Sequence, residues 1–122
     1  MAKKILIVDD EPNIVISLEF LMKKEGFEVA VANDGDEALA KVASFNPDLL
    51  LLDVMMPKKS GFEVCEALRA DSQRAGLKIV MLTAKGRDTE MAKGLAIGAD
   101  AYVTKPFSTK ELVDKVKEML AV

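Results

Sequence analysis

The stretch KKILIVDDE, residues 3–11, decides the fold. Its apolar run, Ile5-Leu6-Ile7-Val8, shows no polar alternation, as expected of a strand buried on both faces, and such strands belong to parallel sheets covered by helices. The run stops abruptly on Asp9, Asp10 and Glu11. The same arrangement recurs downstream: Asp53 follows LLLL (49–52), Thr83 follows KIVML (78–82) and Lys105 follows AYVT (101–104). If these runs are strands of one parallel sheet, their carboxyl ends share an edge, and three carboxylates, a hydroxyl and an ammonium converge there.

Working outward, strands are expected at 5–8, 28–32, 49–52, 79–82 and 101–104, with helices at 12–25, 36–44, 61–70 and 88–97 and a fifth at the end of the chain. In the first helix Ile14, Val15, Leu18, Leu21 and Met22 share one face, Pro12 suits the first turn and Gly26 ends it. Ser60 and Asp88 are candidate N-caps. Ser108-Thr109-Lys110-Glu111 reads as a capping box, followed by Leu112, Val113, Val116, Met119 and Leu120 on the inner side of the last helix. Five strand-then-helix repeats imply an α/β fold in three layers, a doubly wound five-stranded parallel sheet with right-handed crossovers. Val29-Ala30-Val31 and Ala101-Tyr102-Val103 are flanked by polar residues and suit the sheet edges. With no linker or low-complexity stretch, residues 1–122 read as one domain.

Composition narrows the function. At 122 residues the chain is long enough to bury roughly two thirds of its unfolded surface. Half of it is hydrophobic and 30% charged, an ordinary globular balance. A net charge of −3, from 17 basic and 20 acidic residues, builds no field for nucleic acid or an anionic membrane. The single cysteine, Cys65, excludes an internal disulfide and fits a reducing compartment. There is no histidine, which excludes histidine-activated nucleophiles, histidine-ligated zinc and a phosphohistidine of the chain's own. The apolar run near Met1 turns acidic too soon for a signal peptide, and no apolar stretch approaches the ~20 residues of a membrane helix, so a cytoplasmic protein is expected.

Carboxylates ~4 Å apart repel by roughly 4 kcal/mol per pair at an effective dielectric of 20, so gathering Asp9, Asp10 and Asp53 calls for a cation or a proton. Magnesium, which takes oxygen ligands and keeps several waters, suits a few carboxylates, a backbone carbonyl and incoming phosphate oxygens. Thr83 and Lys105 would supply a hydroxyl donor and a fixed positive charge to a phosphoryl group on Asp53. A cis bond between Lys105 and Pro106 would aim the lysine into the cleft.

The motifs ILIVDDE, LLLLDVMMPKKSG, IVMLTA and YVTKPF, in that order and spacing, resemble the response-regulator receiver domain, the CheY-like family of two-component signalling, over 3–120. The resemblance implies the flavodoxin-like strand order 2-1-3-4-5. It implies that Asp53 accepts a phosphoryl group from the phosphohistidine of a histidine kinase or phosphotransfer protein. Asp10, Asp9, Asp53 and the Met55 carbonyl would hold Mg2+ or Mn2+; Thr83 and Lys105 would contact the phosphoryl group; Thr83 and Tyr102 would form the switch. The last strand and last two helices become the output face, for a downstream protein, an effector domain or a second copy, with Lys93, Lys110, Asp114, Lys115, Lys117 and Glu118 available to pair between protomers. Nucleic-acid binding by this domain and membrane contact are not expected.

Two positions tune phosphoryl lifetime in the family, here Met55 and Lys85. Neither side chain offers an acceptor oxygen to orient water, so autodephosphorylation should be slow. A haloacid-dehalogenase-type phosphatase would need a second aspartate where Met55 stands, and a flavodoxin would need a hydroxyl- and glycine-rich loop where Asp9, Asp10 and Glu11 stand. P-loop and dinucleotide fingerprints are absent. The remaining alternative is a pseudo-receiver, an interaction module that works without phosphorylation.

Overall fold

The computed structural model describes residues 2–56, 59–84 and 88–122. Five strands, β1 (Lys4–Val8), β2 (Glu28–Ala32), β3 (Leu49–Asp53), β4 (Lys78–Ala84) and β5 (Ala101–Lys105), alternate with helices α1 (Pro12–Lys24), α2 (Gly35–Phe45), α3 (Gly61–Ala70), α4 (Asp88–Ile97) and α5 (Thr109–Leu120). The strands pair in parallel in the order β2-β1-β3-β4-β5, the flavodoxin-like arrangement expected, and the two more polar strands lie at the edges.

Successive residues of a strand point to opposite faces, and here each face has its own core. Ile5, Ile7, Leu49, Leu51, Val80 and Leu82 pack with Leu18 and Met22 of α1 and Leu112 and Val116 of α5. Leu6, Val8, Leu50, Leu52, Ile79 and Met81 pack with Ala38 and Val42 of α2 and Val64, Cys65 and Leu68 of α3. All four leucines of LLLL are fully buried, which explains the uninterrupted run.

Strand ends depart from the sequence-based limits at the positions that matter most. Asp53, Thr83 and Lys105 are the last or next-to-last rungs of the ladder, paired with Leu82, Thr104 and Ala84. A strand signal built on apolar runs stops one residue short of the end of β3 and of β5 and two short of the end of β4.

Helix ends follow local chemistry. Pro12 opens α1, and the chain leaves that helix through Gly26 at φ 90°, a conformation costly to other residues. Asp34 caps α2 by accepting from the Glu37 N–H at 2.8 Å, so that helix starts at Gly35. The expected capping box at Ser108 is half made: its Oγ accepts from the Glu111 N–H at 3.0 Å, and no return bond from the Glu111 carboxylate occurs among the described residues. The complete box lies at Ser60 and Glu63, with both bonds at 3.3 Å. Asp88 is the first residue of α4 rather than its cap, and its side chain lies outside the described residues.

Candidate phosphoacceptor and metal site

The face alternation sorts the candidate residues. Asp53 and Lys105 have the parity of Leu51 and Val103, whose core is shared with α1 and α5, and Asp9 follows Ile7 in the same phase. Thr83 has the parity of Met81 and faces the α2 and α3 side. One edge of the sheet thus carries two adjoining sets of groups.

The first set is charged. Asp9 is completely buried; its Oδ1 accepts from the Glu11 N–H at 2.9 Å and its Oδ2 from Lys105 Nζ at 3.0 Å. The same Nζ donates to Asp53 Oδ1 and to Glu11 Oε1, each at 3.4 Å. The Lys105–Pro106 peptide is cis. Burial pushes the Asp53 carboxyl up to about 6 from 3.8, the Asp9 charge adds to the rise, and Lys105 and the Met55 N–H oppose it. Burial by itself would lower Lys105, but its bond to Asp9 and the charges of Asp53, Asp9 and Glu11 outweigh this and raise it.

Carboxylate oxygens of Asp9, Asp10 and Asp53 lie within 4.8 Å of one another, with Asp10 exposed at the mouth. One ammonium therefore faces four carboxylates, counting Glu11, and burial first and the neighbouring Asp9 charge second keep the Asp53 carboxyl raised. A hard divalent cation on these oxygens fits that imbalance of charge, and the donor set is one magnesium accepts. Lys105 already satisfies one oxygen each of Asp9 and Asp53, leaving the remaining capacity of the cluster to such an ion.

The second set is a hydroxyl and an aromatic ring. Thr83 is buried, whereas Tyr102 on the neighbouring strand is 41% exposed. Both line a narrow cleft with Val54, Met81, Leu95 and Ala99 that is too thin to admit a water molecule. Met55 projects from the rim at 65% exposure. Lys85 lies outside the described residues.

On the expected output face, Lys110 pairs with Asp114 at 2.9 Å and Lys115 with Glu118 at 3.6 Å, both within α5. Lys117 reaches Glu25 at 2.8 Å and ties α5 to the end of α1, and Lys93 Nζ sits 4.6 Å from the Phe62 ring centre. These charges have partners inside the chain. Leu95 and Tyr102 leave apolar area on the same side. Among the described residues no helix is long and apolar enough to cross a membrane.

Sequence reasoning missed Glu11 as a partner of Lys105. It also missed Gly35 and Gly61, where a side chain would collide with the loop beside Asp53. Glycine at a helix N-terminus carries no signal of such crowding until the loop it faces is known.

A family model described as "Response regulator receiver domain" matches residues 5–117. The alkaline phosphatase synthesis transcriptional regulatory protein PhoP of Bacillus subtilis is 48% identical over 120 residues, covering 98% of this chain and 49% of that protein. The DNA-binding response regulator MtrA of Mycolicibacterium smegmatis is also 48% identical over 120 residues, covering 98% of this chain and 51% of its own length. The chain thus spans about half the length of these two relatives. Among solved structures, a putative response regulator from Chloroflexus aurantiacus superposes with a TM-score of 0.95 at 37% identity, covering all of both chains. The chemotaxis protein CheY4 of Vibrio cholerae superposes at 0.91 and 34% identity, over 98% of this chain and 99% of that one. The chain belongs to the response regulator receiver domain family of two-component signalling.

Proposed function

We propose that residues 1–122 form one receiver domain in which Asp53 accepts a phosphoryl group from the phosphohistidine of a partner. The observation that carries this reading is the charge imbalance at the sheet edge: three carboxylates within 4.8 Å, one lysine bonded to two of them, and no histidine in the chain to act as donor.

Asp53 Oδ attacks phosphorus, the phosphorus–nitrogen bond of the donor breaks, and the electron pair returns to the imidazole nitrogen. Asp9, Asp10, the second Asp53 oxygen and the Met55 carbonyl would hold Mg2+ or Mn2+, which when bound neutralises charge on the phosphoryl oxygens. Lys105 Nζ, already 3.4 Å from Asp53 Oδ1, supplies a fixed positive charge on the other side. The Met55 N–H holds the Asp53 carboxylate in position. Preorganised positioning of this kind is what a phosphoryl-transfer site contributes, so a small phosphodonor suffices.

After transfer, Thr83 turns its hydroxyl toward the new phosphoryl oxygens and Tyr102 moves from its exposed position toward the space beside it. The pair biases a pre-existing equilibrium of α4 and its flanking loops. Output passes through α4, β5 and α5 to a downstream protein, an effector domain or a second copy of the chain, and the exposed Leu95 and Tyr102 support that choice of face. The two relatives named for transcriptional regulation or DNA binding point to an output of that kind for a full regulator.

Intact mass after incubation with acetyl phosphate and magnesium tests this reading. One phosphoryl should add to the parent only with metal, and none to Asp53→Ala; no addition under any condition moves the reading to a phosphorylation-independent docking module. With the apolar Met55 side chain at the rim, loss of the label should be slow, and Met55→Asn should speed it several-fold. Unchanged decay in that variant would remove Met55 from the control of lifetime.

A further inference from the structure

Two glycines on different helices press on residues that flank Met55 in the chain. Gly61, first in α3, donates its N–H to the Val54 carbonyl at 2.8 Å. A Cβ there would overlap the Asp53 carbonyl oxygen and lie 2.9 Å from Val54 Cα. Gly35, first in α2 and buried, faces Lys59: a Cβ there would overlap Lys59 Cβ and lie 2.7 Å from the Lys59 carbonyl oxygen. In both cases the obstacle includes backbone, which cannot swing aside as the end of a flexible side chain can. Both helix starts are themselves held, α2 by Asp34 and α3 by the Ser60–Glu63 box.

We infer that Gly35, where an added Cβ would meet Lys59 first, is a positioning residue for the phosphoacceptor site. It lets α2 seat against Lys59, while the first turn of α3 closes on Asp53 and Val54, so the chain is held on both sides of Met55. The position of the Met55 N–H and carbonyl next to Asp53 depends on this clamp. The consequence for metal and phosphoryl chemistry rests on the function proposed above, whereas the clamp itself does not.

Misplacement of a reacting or ligating group by about 1 Å costs on the order of a hundredfold in rate. Gly35→Ala should therefore weaken Mg2+ binding, measured by calorimetric titration with magnesium chloride, by about tenfold, and slow uptake from acetyl phosphate by about ten- to a hundredfold. In the metal-free protein the amide resonances of Asp53, Met55 and Gly61 should shift, and those of β2 away from the contact should not. Gly76→Ala, made where nothing lies within 4 Å, is the control and should change none of these readings. Lys59→Gly in the Gly35→Ala background removes one of the two colliding groups and should recover part of the lost magnesium affinity. If Gly35→Ala fails to fold, Lys59→Gly alone loosens the same contact without crowding and should shift the same amides. Unmoved Asp53 and Met55 amides, or a magnesium affinity within twofold of the parent, overturn the inference. Failure of the parent to take up a phosphoryl group would instead sink the proposed function and leave the clamp to be decided by the amide shifts.

Discussion

The two ends of the sheet treat acidic residues in opposite ways. At the amino ends of the strands Asp48 and Asp100 have complementary donors. Asp48 accepts from the Lys4 N–H at 2.8 Å, and Asp100 accepts from the Ile79 N–H at 2.8 Å and from Arg69 Nη2 at 2.7 Å. The Arg69 guanidinium goes on to the carbonyls of Gly98 at 2.8 Å and Arg74 at 3.1 Å, joining α3 to the turn that follows α4. At the carboxyl ends Asp9, Asp53 and Glu11 share one lysine, and Asp53 holds its proton to about pH 6. One end is satisfied and serves as structure. The other is left short of positive charge, and the proposed binding of a cation and a phosphoryl group would draw on that shortage.

The strongest way to break this contrast is at Lys105. Lys105→Ala leaves the fully buried Asp9 without its cation, and should cost about 2–4 kcal/mol in urea unfolding of the metal-free protein. Magnesium should restore part of that loss. Acetyl-phosphate labelling should slow by about a hundredfold or more, because the fixed charge on the phosphoryl group is gone. Equal loss with and without magnesium would mean that the upper cluster is simple structure, like the lower one.

Arg69→Ala attacks the satisfied end. It removes bonds to three groups and should lower stability by about 2–3 kcal/mol, since hydrogen bonds to charged groups run at about 1.5–3 kcal/mol. Magnesium affinity should stay within twofold of the parent. A marked fall in affinity would show that the two ends are coupled through the sheet.

The smallest effect sharpens the comparison through pH. The Asp53 pKa is raised, so between about 3.8 and about 6 the folded state binds more protons than the unfolded one, and this carboxylate costs stability once pH rises above that window. Asp53→Asn should stabilise the metal-free protein at pH 7.5 by on the order of 1–2 kcal/mol, and the gain should shrink as pH falls through about 6 toward 4. A gain that stays constant across this range would place its origin in packing rather than in charge.

The sheet and its helices were readable because the buried runs at 5–8 and 49–52 are so uniformly apolar, and the edges because β2 and β5 are not. The convergence of Asp9, Asp53 and Lys105 followed from placing their runs side by side. What stayed hidden depends on register and on rotamers. Thr83 has the opposite parity to Asp53 and Lys105 and lines a cleft with Leu95 and Tyr102, a placement that no local pattern gives. Ser60-Gly61-Phe62-Glu63 and Ser108-Thr109-Lys110-Glu111 share a capping pattern, yet only the first completes it among the described residues, because the glutamate side chain has to turn back. Arg69 and Asp100 are 31 positions apart, a separation at which no local pattern speaks.

Because Asp53 and Lys105 end their strands in register with Leu82 and Ala84, the sheet works as a ruler for the site. Removing one residue from β3 ahead of Asp53 would turn that carboxylate from the Lys105 side to the Thr83 side and exchange the two cores for the residues on one side of the deletion. Changing the length of a turn at the amino ends of the strands would move neither. Variation in partner choice is therefore free to accumulate on helix exteriors and lower turns, while insertions and deletions within the strands are closed to it, so strand length should be the most invariant measurement among functioning relatives of this chain.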